Sequence, residues 1–166
     1  MERNRIYVWV DADFASSDIQ TRRSVTGYII MMNNAPISWK SSLQRRVSSS
    51  STEAEYRALH EASKEAIWLT RILTELGYNM MEPVLIFEDN SSTIAATQNP
   101  VSHSKLKHLD SIYHQIRDFV SNNEVQIVHI ESEKQHADMM TKILPAKKHH
   151  ELNHNIIAIQ NDNSLK

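Results

Sequence analysis

The fold of this chain of 166 residues is decided by one amphipathic stretch, SSSSTEAEYRAL at residues 48–59, which continues in register to Leu76. From Glu55 onward its inward positions follow steps of three and four residues, the spacing of one face of an α-helix. Gly77 follows the stretch, as is typical of a helix C-terminus, so the pattern predicts one long helix over residues 48–76. Six of the seven positions in the inward stripe are apolar: the stripe comprises Glu55, Leu59, Ala62, Ala66, Leu69, Leu73 and Leu76.

Two acids near the start of this helix receive different predictions. Glu53 lies three residues after Ser50, the spacing of a capping box, and on roughly the opposite face from the stripe. Glu55 opens the stripe, so its carboxylate is predicted to point the way the core side chains point. A buried carboxylate is costly unless it is paired or binds a cation. We therefore expect Glu53 to cap the helix and Glu55 to face an internal site.

Composition predicts one globular domain. Hydrophobic residues make up 40% of the chain and charged residues 23%, there is no cysteine, and the net charge is -2. The absence of cysteine excludes disulfides and thiol chemistry and fits a reducing compartment. No run of eighteen apolar residues and no charged-then-apolar leader occurs, so we expect neither a membrane span nor a signal peptide. The net charge does not indicate a nucleic-acid binder, but basic residues concentrate before the long helix: Arg22, Arg23, Lys40, Arg45 and Arg46.

Three strands are predicted before the long helix. Residues 6–10 are a compact β-branched and aromatic run followed by Asp11-Ala12-Asp13, which indicates a central strand with carboxylates at its C-terminal end. Residues 24–32 predict a second strand and residues 35–41 a third. Asn33 and Asn34 between them suit a tight hairpin, because asparagine tolerates positive φ.

The second half of the chain alternates strands and helices. The apolar run at residues 84–87 follows the long helix and ends on Glu88-Asp89-Asn90, which favours a buried strand parallel to the first one. The remaining predicted elements are a short helix at 91–97, a helix at 104–122, a strand at 125–130 and a final helix at 133–144. The resulting order, β-β-β-α-β-α-α-β-α, predicts an α/β fold. Residues 146–166 lose periodicity, and we expect a polar tail that is partly helical or disordered.

Four acids stand out by their context. Asp11 and Asp89 follow buried strands, Glu55 faces inward on the long helix, and Asp138 lies near the start of the final helix. The carboxyl ends of adjacent strands are where α/β proteins usually assemble a site. Converging carboxylates repel one another, and all-oxygen ligation without cysteine favours Mg²⁺ or Mn²⁺ over zinc. Two such ions about 4 Å apart suit in-line hydrolysis of a phosphodiester.

Two further acids, Asp13 and Glu88, lie close in sequence to these candidates. Asp13 remains open as an alternative to Asp11, because alternate residues of a strand share a face. Glu88 is adjacent to Asp89, so we expect it to face the other way. A single acid after a strand is more often a turn or cap residue than a catalytic one, so each of these signals is weak by itself.

The order strand Asp, helix Glu, strand Asp, helix Asp on this framework resembles ribonuclease H. More narrowly, the chain is similar to the ribonuclease H domain that closes the polyprotein of copia-type (Pseudoviridae) LTR retrotransposons. The matching phrases cover nearly everything from residue 7 to residue 145: DADFASS (11–17), RRSVTGYI (22–29), ISWKSSLQ (37–44), SSSSTEAEYRAL (48–59), EAIWLTRIL (65–73), EDNSSTI (88–94), HSKLKHLDSIYHQIRD (103–118) and QHADMMTKILP (135–145).

This resemblance implies a ribonuclease H-like fold over residues 1–145, with a five-stranded mixed sheet flanked by helices. It also implies metal-dependent endonucleolytic hydrolysis of the RNA strand of RNA:DNA hybrids, leaving 3′-hydroxyl and 5′-phosphate ends. Carried over by position, the family's metal ligands fall on four acids. Asp11 is expected to bridge two Mg²⁺ ions, Glu55 and Asp89 to complete one site, and Asp138 the other, with Mn²⁺ able to substitute.

The resemblance further implies residues that contact the hybrid. Hydroxyls and helix-terminal N–H groups bind sugars and phosphates without reading sequence, and basic side chains contact the phosphate backbone. The candidates are Ser50, Ser51, Thr52, Asn90, Ser91, Lys40, Arg45 and Arg46.

The chain departs from the family pattern at several positions outside the four acids. Phe14 stands where tryptophan is usual, Glu131-Ser132 follow the last strand in place of Pro-Thr, and Ser91 replaces a frequent glutamine. Cellular and retroviral ribonucleases H carry a loop histidine before the final aspartate, and His136 is the nearby candidate for such an accessory role. These departures bear on activity and hybrid affinity, not on the metal ligands.

Partners and alternatives follow from the same resemblance. It implies an RNA:DNA hybrid and an adjacent reverse transcriptase domain as partners, no membrane, a monomeric isolated domain, and an intracellular location, cytoplasmic and within virus-like particles. One alternative is a hybrid-binding module that depends on its reverse transcriptase neighbour and cleaves weakly or not at all. Another is an integrase or proofreading exonuclease of the same fold. Those enzymes typically carry Asp-x-Glu in the first strand or a final Glu, unlike Asp11-Ala12-Asp13 and Asp138.

Overall fold

The chain folds as strands and helices in the predicted order up to the fifth strand. A computed structural model describes residues 4–15, 21–98 and 110–157. Within these ranges the elements are β1 (Ile6–Asp13), β2 (Val25–Met32), β3 (Ala35–Leu43), α1 (Ser51–Glu75), β4 (Val84–Glu88), α2 (Ser91–Gln98), α3 (Asp110–Ser121), β5 (Val125–His129), α4 (Asp138–Thr141) and α5 (Ala146–Ile157). The predicted start of the third helix at residue 104 lies outside the described residues.

The five strands form one mixed sheet in the order β3-β2-β1-β4-β5, which confirms the predicted fold class. β1 pairs antiparallel with β2 and parallel with β4, and β4 pairs parallel with β5. The hairpin between β2 and β3 turns at Asn33 and Asn34, whose φ angles are 51° and 64°, as the sequence predicts. Because β1 and β4 run side by side in the same direction, their C-terminal ends lie at one edge of the sheet.

Helix α1 spans Ser51–Glu75, so it begins three residues after the predicted start at residue 48, directly after the predicted cap Ser50, and ends one residue before Leu76. The Ser50 hydroxyl accepts the Glu53 N–H at 3.1 Å, and the Glu53 carboxylate accepts the Ser49 N–H at 2.8 Å. In the usual capping box the Glu53 carboxylate would accept the N–H of the cap residue Ser50, whereas here it accepts the N–H of the preceding residue, Ser49. Glu53 is buried, and its carboxylate forms an ion pair with Arg57. Leu76, predicted to lie on the buried stripe, is 70% exposed because it is already the C-cap residue.

Two apolar clusters cover the two faces of the sheet. On one face α1 and α3 pack over β1 and β4, with Leu59, Ala62 and Ile86 fully buried and Tyr56 stacked on Tyr113 at 4.5 Å. The opposite face is covered by the C-terminal segment: buried Ile29, Met31 and Ile156 pack there with Trp9, Met139 and Met140. The C-terminal segment is thus an integral layer of the described fold.

The segment after β5 differs most from its prediction. In place of one helix over 133–144, the chain forms a 3₁₀ turn (Ser132–Lys134), an extended residue at Gln135 with ψ 100°, and the single-turn helix α4. The cause is tertiary: the buried Gln135 amide donates to the Val10 carbonyl at 2.9 Å, which holds the chain against the sheet.

One further boundary differs from its prediction, and part of the predicted tail is helical. β1 continues through Asp13, so Asp11 lies inside the strand and not after it. Part of the predicted polar tail is the helix α5, whose Leu152 and Ile156 are buried, and residues 158–166 lie outside the described residues. In the portion that the structure covers, every helix is too short or too polar to cross a membrane.

Candidate metal centre

Three of the four predicted acids converge at the edge of the sheet where β1 and β4 end. Asp11, Glu55 and Asp89 each offer a carboxylate oxygen, and these oxygens all lie within 4.8 Å of one another. Asp11 comes from β1, Asp89 directly follows β4, and Glu55 comes from the second turn of α1. The parallel pairing of β1 with β4 and the N-terminal end of α1 above them bring the three together.

Glu55 carries the clearest sign that this cluster suits a cation. Its side chain is buried at 6% exposure, and within the described residues its Oε2 atom has no hydrogen-bond partner. Burial, followed by the negative charges of Glu88, Asp11 and Asp89, raises the pKa of Glu55 to about 10. A buried carboxylate oxygen without a donor is what a hard divalent cation would satisfy. The residues present therefore fit Mg²⁺ or Mn²⁺.

Asp11 is held in place by the segment around α4. The Thr141 hydroxyl donates to its Oδ2 atom, and the Lys142 ammonium lies 3.2 Å from its carboxylate. Burial raises the pKa of Asp11, and the positive charge of Lys142 opposes that rise. The orientation of the Asp11 carboxylate in the cluster is thus fixed by Thr141 and Lys142.

Asp138, the fourth predicted acid, lies outside the cluster of three acids and is linked to Asp11 through Lys142 and Thr141. It opens α4, is buried, and is not one of the three converging acids. Its Oδ1 atom accepts from Lys142 at 2.7 Å, and its Oδ2 atom accepts from Lys148 at 2.7 Å. The Lys142 ammonium therefore bridges Asp138 and Asp11. Sequence reasoning gave no role to Lys142 or Lys148.

Glu88, expected to face away from the site, lies fully buried against it. Its carboxylate accepts the Asn90 N–H at 3.0 Å, while its Oε2 atom has no hydrogen-bond partner among the described residues. Burial raises its pKa, and its charge is the leading electrostatic cause of the raised pKa of Glu55. The missed signal was the alternation of β4, because the face that buries Val84 and Ile86 also takes Glu88.

A close approach at Gly27 sets the position of α4. Gly27 is opposite Asp11 in the β1–β2 register. A Cβ atom at Gly27 would lie 2.5 Å from the Thr141 methyl and 2.7 Å from the Met140 Cβ. Only glycine lets α4, with Asp138 at its start, sit this near to β2.

The two accessory candidates lie at the margins of the site. Asp13 ends β1, is half-buried, and is not among the three converging acids. The His136 ring packs on Trp9 with 4.8 Å between ring centroids, on the sheet face that carries Ile29, and burial lowers the pKa of His136. The structure therefore places His136 in a packing contact and does not bring it to the acids.

Candidate hybrid contacts at the helix N-termini have partly structural roles. Ser50 caps α1, and the Asn90 side-chain oxygen caps α2 by accepting the N–H groups of Ser92 at 3.0 Å and Thr93 at 3.1 Å. The remaining hydroxyl candidates at these two termini are exposed or half-buried: they are Ser51, Thr52 and Ser91.

The basic candidates lie beside the N-terminal half of α1. Lys40 pairs with Glu61 at 2.6 Å. Arg45 and Arg46 are exposed and line an open cavity of about 500 Å³, together with Arg57 and Lys64. This side of the molecule offers several cations to a polyanion.

Comparison with known proteins identifies the family of this chain. Residues 11–142 match the family described as reverse transcriptase-like. Over 140 residues, which are 84% of this chain, the sequence is 42% identical to the retrovirus-related Pol polyprotein from transposon TNT 1-94 of Nicotiana tabacum. It is 40% identical over 139 residues, again 84% of the chain, to the corresponding polyprotein from transposon RE2 of Arabidopsis thaliana. In both cases the match covers 10% of the relative, so the chain spans about a tenth of the length of these curated relatives.

Solved structures identify the fold. The ribonuclease H1 called LC11, isolated from compost, matches with a TM-score of 0.62 at 19% identity, covering 82% of this chain and 92% of that one. The same protein in complex with an RNA/DNA hybrid matches with a TM-score of 0.60 at 18% identity, covering 82% and 94%. The chain belongs to the reverse transcriptase-like family and has a ribonuclease H fold of the kind found in copia-type retrotransposon polyproteins.

Proposed function

We propose that this domain hydrolyses the RNA strand of RNA:DNA hybrids during retrotransposon reverse transcription, leaving 3′-hydroxyl and 5′-phosphate ends. The observation that carries the proposal is the convergence of Asp11, Glu55 and Asp89 within 4.8 Å, together with the unpartnered Glu55 oxygen. The ribonuclease H fold and the retrotransposon polyprotein relatives support the choice of substrate.

The residues that would hold the metal divide into two groups. Asp11, Glu55 and Asp89 would hold one Mg²⁺ ion, and Asp11 with Asp138 would hold the second, with Mn²⁺ able to replace either. Bound ions of this kind activate water for attack on a phosphodiester and stabilise the leaving oxygen. Asp11 is shared between the groups, and the Thr141 hydroxyl and the register with Gly27 fix its orientation.

The chain's own polar and basic groups would position the hybrid. The hydroxyls of Ser51, Thr52 and Ser91 belong to the first turns of α1 and α2, so a phosphate or 2′-hydroxyl bound by them would lie near Glu55 and Asp89. Arg45 and Arg46 would contact the phosphate backbone, and Lys40 would join them by leaving Glu61. The proposed partner in the parent polyprotein is its reverse transcriptase domain.

Cleavage of end-labelled substrates in Mg²⁺ or Mn²⁺ tests this function. We expect cleavage of an RNA:DNA hybrid but not of single-stranded RNA or duplex DNA, with loss of activity on adding EDTA. Asp89→Asn should abolish cleavage and keep the fold, because the amide preserves the shape of the side chain while removing its charge. Asp118→Asn makes the same chemical change on the exposed side of α3 and should leave cleavage unchanged. Full turnover by Asp89→Asn would refute the site assignment.

One observation favours a second candidate function, a hybrid-binding module without cleavage. Both oxygens of Asp138 are occupied by lysines, so the second metal position is not open in this arrangement. Hybrid binding measured by fluorescence anisotropy, with no cleavage at any Mg²⁺ or Mn²⁺ concentration, would select this alternative.

A further inference from the structure

The proposed metal centre has two halves: the Glu55 half comprises the cluster Asp11, Glu55 and Asp89, and the other half is Asp138. Their negative charges are neutralised in different ways. On the Asp138 side, Lys142 and Lys148 each place an ammonium 2.7 Å from one carboxylate oxygen, so this acid is fully paired. On the Glu55 side, Oε2 has no partner within the described chain. The Glu55 half therefore has a carboxylate oxygen available to a cation, whereas Asp138 is already paired with two ammonium groups.

The ammonium groups of Lys142 and Lys148 can also move away from Asp138 into solvent. Their side chains are 37% and 35% exposed, whereas the Asp138 side chain is 5% exposed. A long, flexible lysine side chain can move its ammonium into water while its stem stays packed. Lys148 belongs to α5, which is attached to the sheet through the buried side chain of Ile156. The docking of α5 therefore brings one of the two cations to Asp138.

We propose that Lys142 and Lys148 are internal counter-cations that compete with a divalent metal ion for Asp138. The chain then binds one ion at Asp11, Glu55 and Asp89, and binds a second only when the two ammonium groups leave Asp138. This inference rests on the proposed metal centre and adds an order of occupancy to it. It also assigns α5 a function, because α5 controls how readily the second position opens.

The two lysines have separable effects. Within residues 4–15, 21–98 and 110–157, Lys148 forms an ion pair with Asp138 and with no acid of the Glu55 half, so its removal acts on the second position alone. Lys142 contacts both Asp138 and Asp11, so its removal acts on both positions. Lys147, the neighbour of Lys148 on α5, pairs only loosely with Glu151 at 4.0 Å and serves as the matched control.

Mn²⁺ binding to the metal-free full chain, measured by calorimetry and by electron paramagnetic resonance, tests the competition. We expect wild type to bind one ion and then a second more weakly. Lys148→Met should tighten the second ion at least about tenfold, corresponding to about 1.4 kcal/mol, and leave the first unchanged. Lys142→Met should tighten both. Lys147→Met and the charge-conserving Lys148→Arg should match wild type, a distinction that a purely structural role for Lys148 would not produce.

Different failures have different meanings. If Lys148→Met binds both ions as wild type does, the competition is refuted and the proposed metal centre stands. If wild type binds no Mn²⁺ while folded, the proposed centre and this inference both fail. Circular dichroism checks the fold of each variant, and Lys148→Gln replaces Lys148→Met if the methionine variant does not fold.

Discussion

Replacing Gly27 with alanine tests whether the fold itself positions the acids. The new Cβ atom would lie 2.5 Å from the Thr141 methyl and 2.7 Å from the Met140 Cβ. Non-bonded carbon atoms pack at about 3.5–4.0 Å, so α4 has to retreat from β2 by about 1 Å. That retreat moves Asp138 and Thr141 away from Asp11, which itself stays in register opposite position 27.

The expected magnitudes for Gly27→Ala follow from this displacement. Overpacking of this kind costs about 1–3 kcal/mol, which for a chain of this size lowers Tm by roughly 4–8 °C for a cost near 2 kcal/mol. A misplacement of about 1 Å at a reacting centre costs on the order of 100-fold in rate. We therefore expect a folded variant with hybrid cleavage reduced about 100-fold under single-turnover conditions.

Gly77→Ala is the matched control for Gly27→Ala. Gly77 has φ 90°, and a Cβ atom added there would meet no other described part of the chain within 4 Å. Alanine at this position is therefore strained only by its backbone, by about 1–2 kcal/mol. The control should lose similar stability and keep its cleavage rate. The reasoning is refuted if Gly27→Ala, folded at the assay temperature, cleaves as fast as Gly77→Ala.

Three further predictions concern pH, the Gln135 contact and α5. Burial and the charge of Glu88 raise the pKa of Glu55 from 4.5 to about 10, so between these pH values the folded metal-free protein keeps a proton that the unfolded chain releases. The free energy of unfolding should therefore fall as the pH rises from about 4.5 toward 10, by up to about 1.4 kcal/mol per pH unit. Thermal unfolding against pH checks this, and an identical pH dependence in Glu55→Gln would contradict it. Gln135→Ala should lower the free energy of unfolding in urea by about 1–3 kcal/mol, because it removes the hydrogen-bond donor to β1, whereas Gln126→Ala, at an exposed position of β5, should cost little. Equal losses would count against a specific role for Gln135. Ile156→Ala should cost about 2–4 kcal/mol by loosening α5 from the sheet, and unchanged unfolding would show that α5 contributes no packing energy.

The elements that sequence reasoning predicted well have strong local signals. The α1 stripe, its Ser50 cap and the Asn33-Asn34 hairpin are each specified by residues close together in the chain, so no distant contact was needed to place them. The convergence of Asp11 with Asp89 followed from the parallel pairing of two buried strands. Glu55 was found because it is the one carboxylate among the seven positions of an otherwise apolar stripe.

The elements that it missed depend on contacts between distant parts of the chain. The predicted helix over 133–144 fails because the Gln135 side chain binds β1, 125 residues away in sequence. The ion pairs of Lys142 with Asp11 and of Lys148 with Asp138 could not be predicted, because they depend on how α4 and α5 pack against the sheet. The prediction for Glu88 assumed that strand alternation continues to Asp89, whereas β4 ends at Glu88 and both acids lie near Glu55.

The most direct test of the central claim is the metal dependence of hybrid cleavage by wild type and Glu55→Gln under single-turnover conditions. Because Glu55 holds a proton in the metal-free protein, glutamine should preserve the fold, shown by thermal unfolding without metal. We predict that wild type cleaves the RNA strand of the hybrid in Mn²⁺ and Mg²⁺, and that Glu55→Gln, though folded, loses at least about 1000-fold in rate, on the order of 4 kcal/mol of transition-state stabilisation. Equal rates for the two proteins at the same metal concentration would contradict the account.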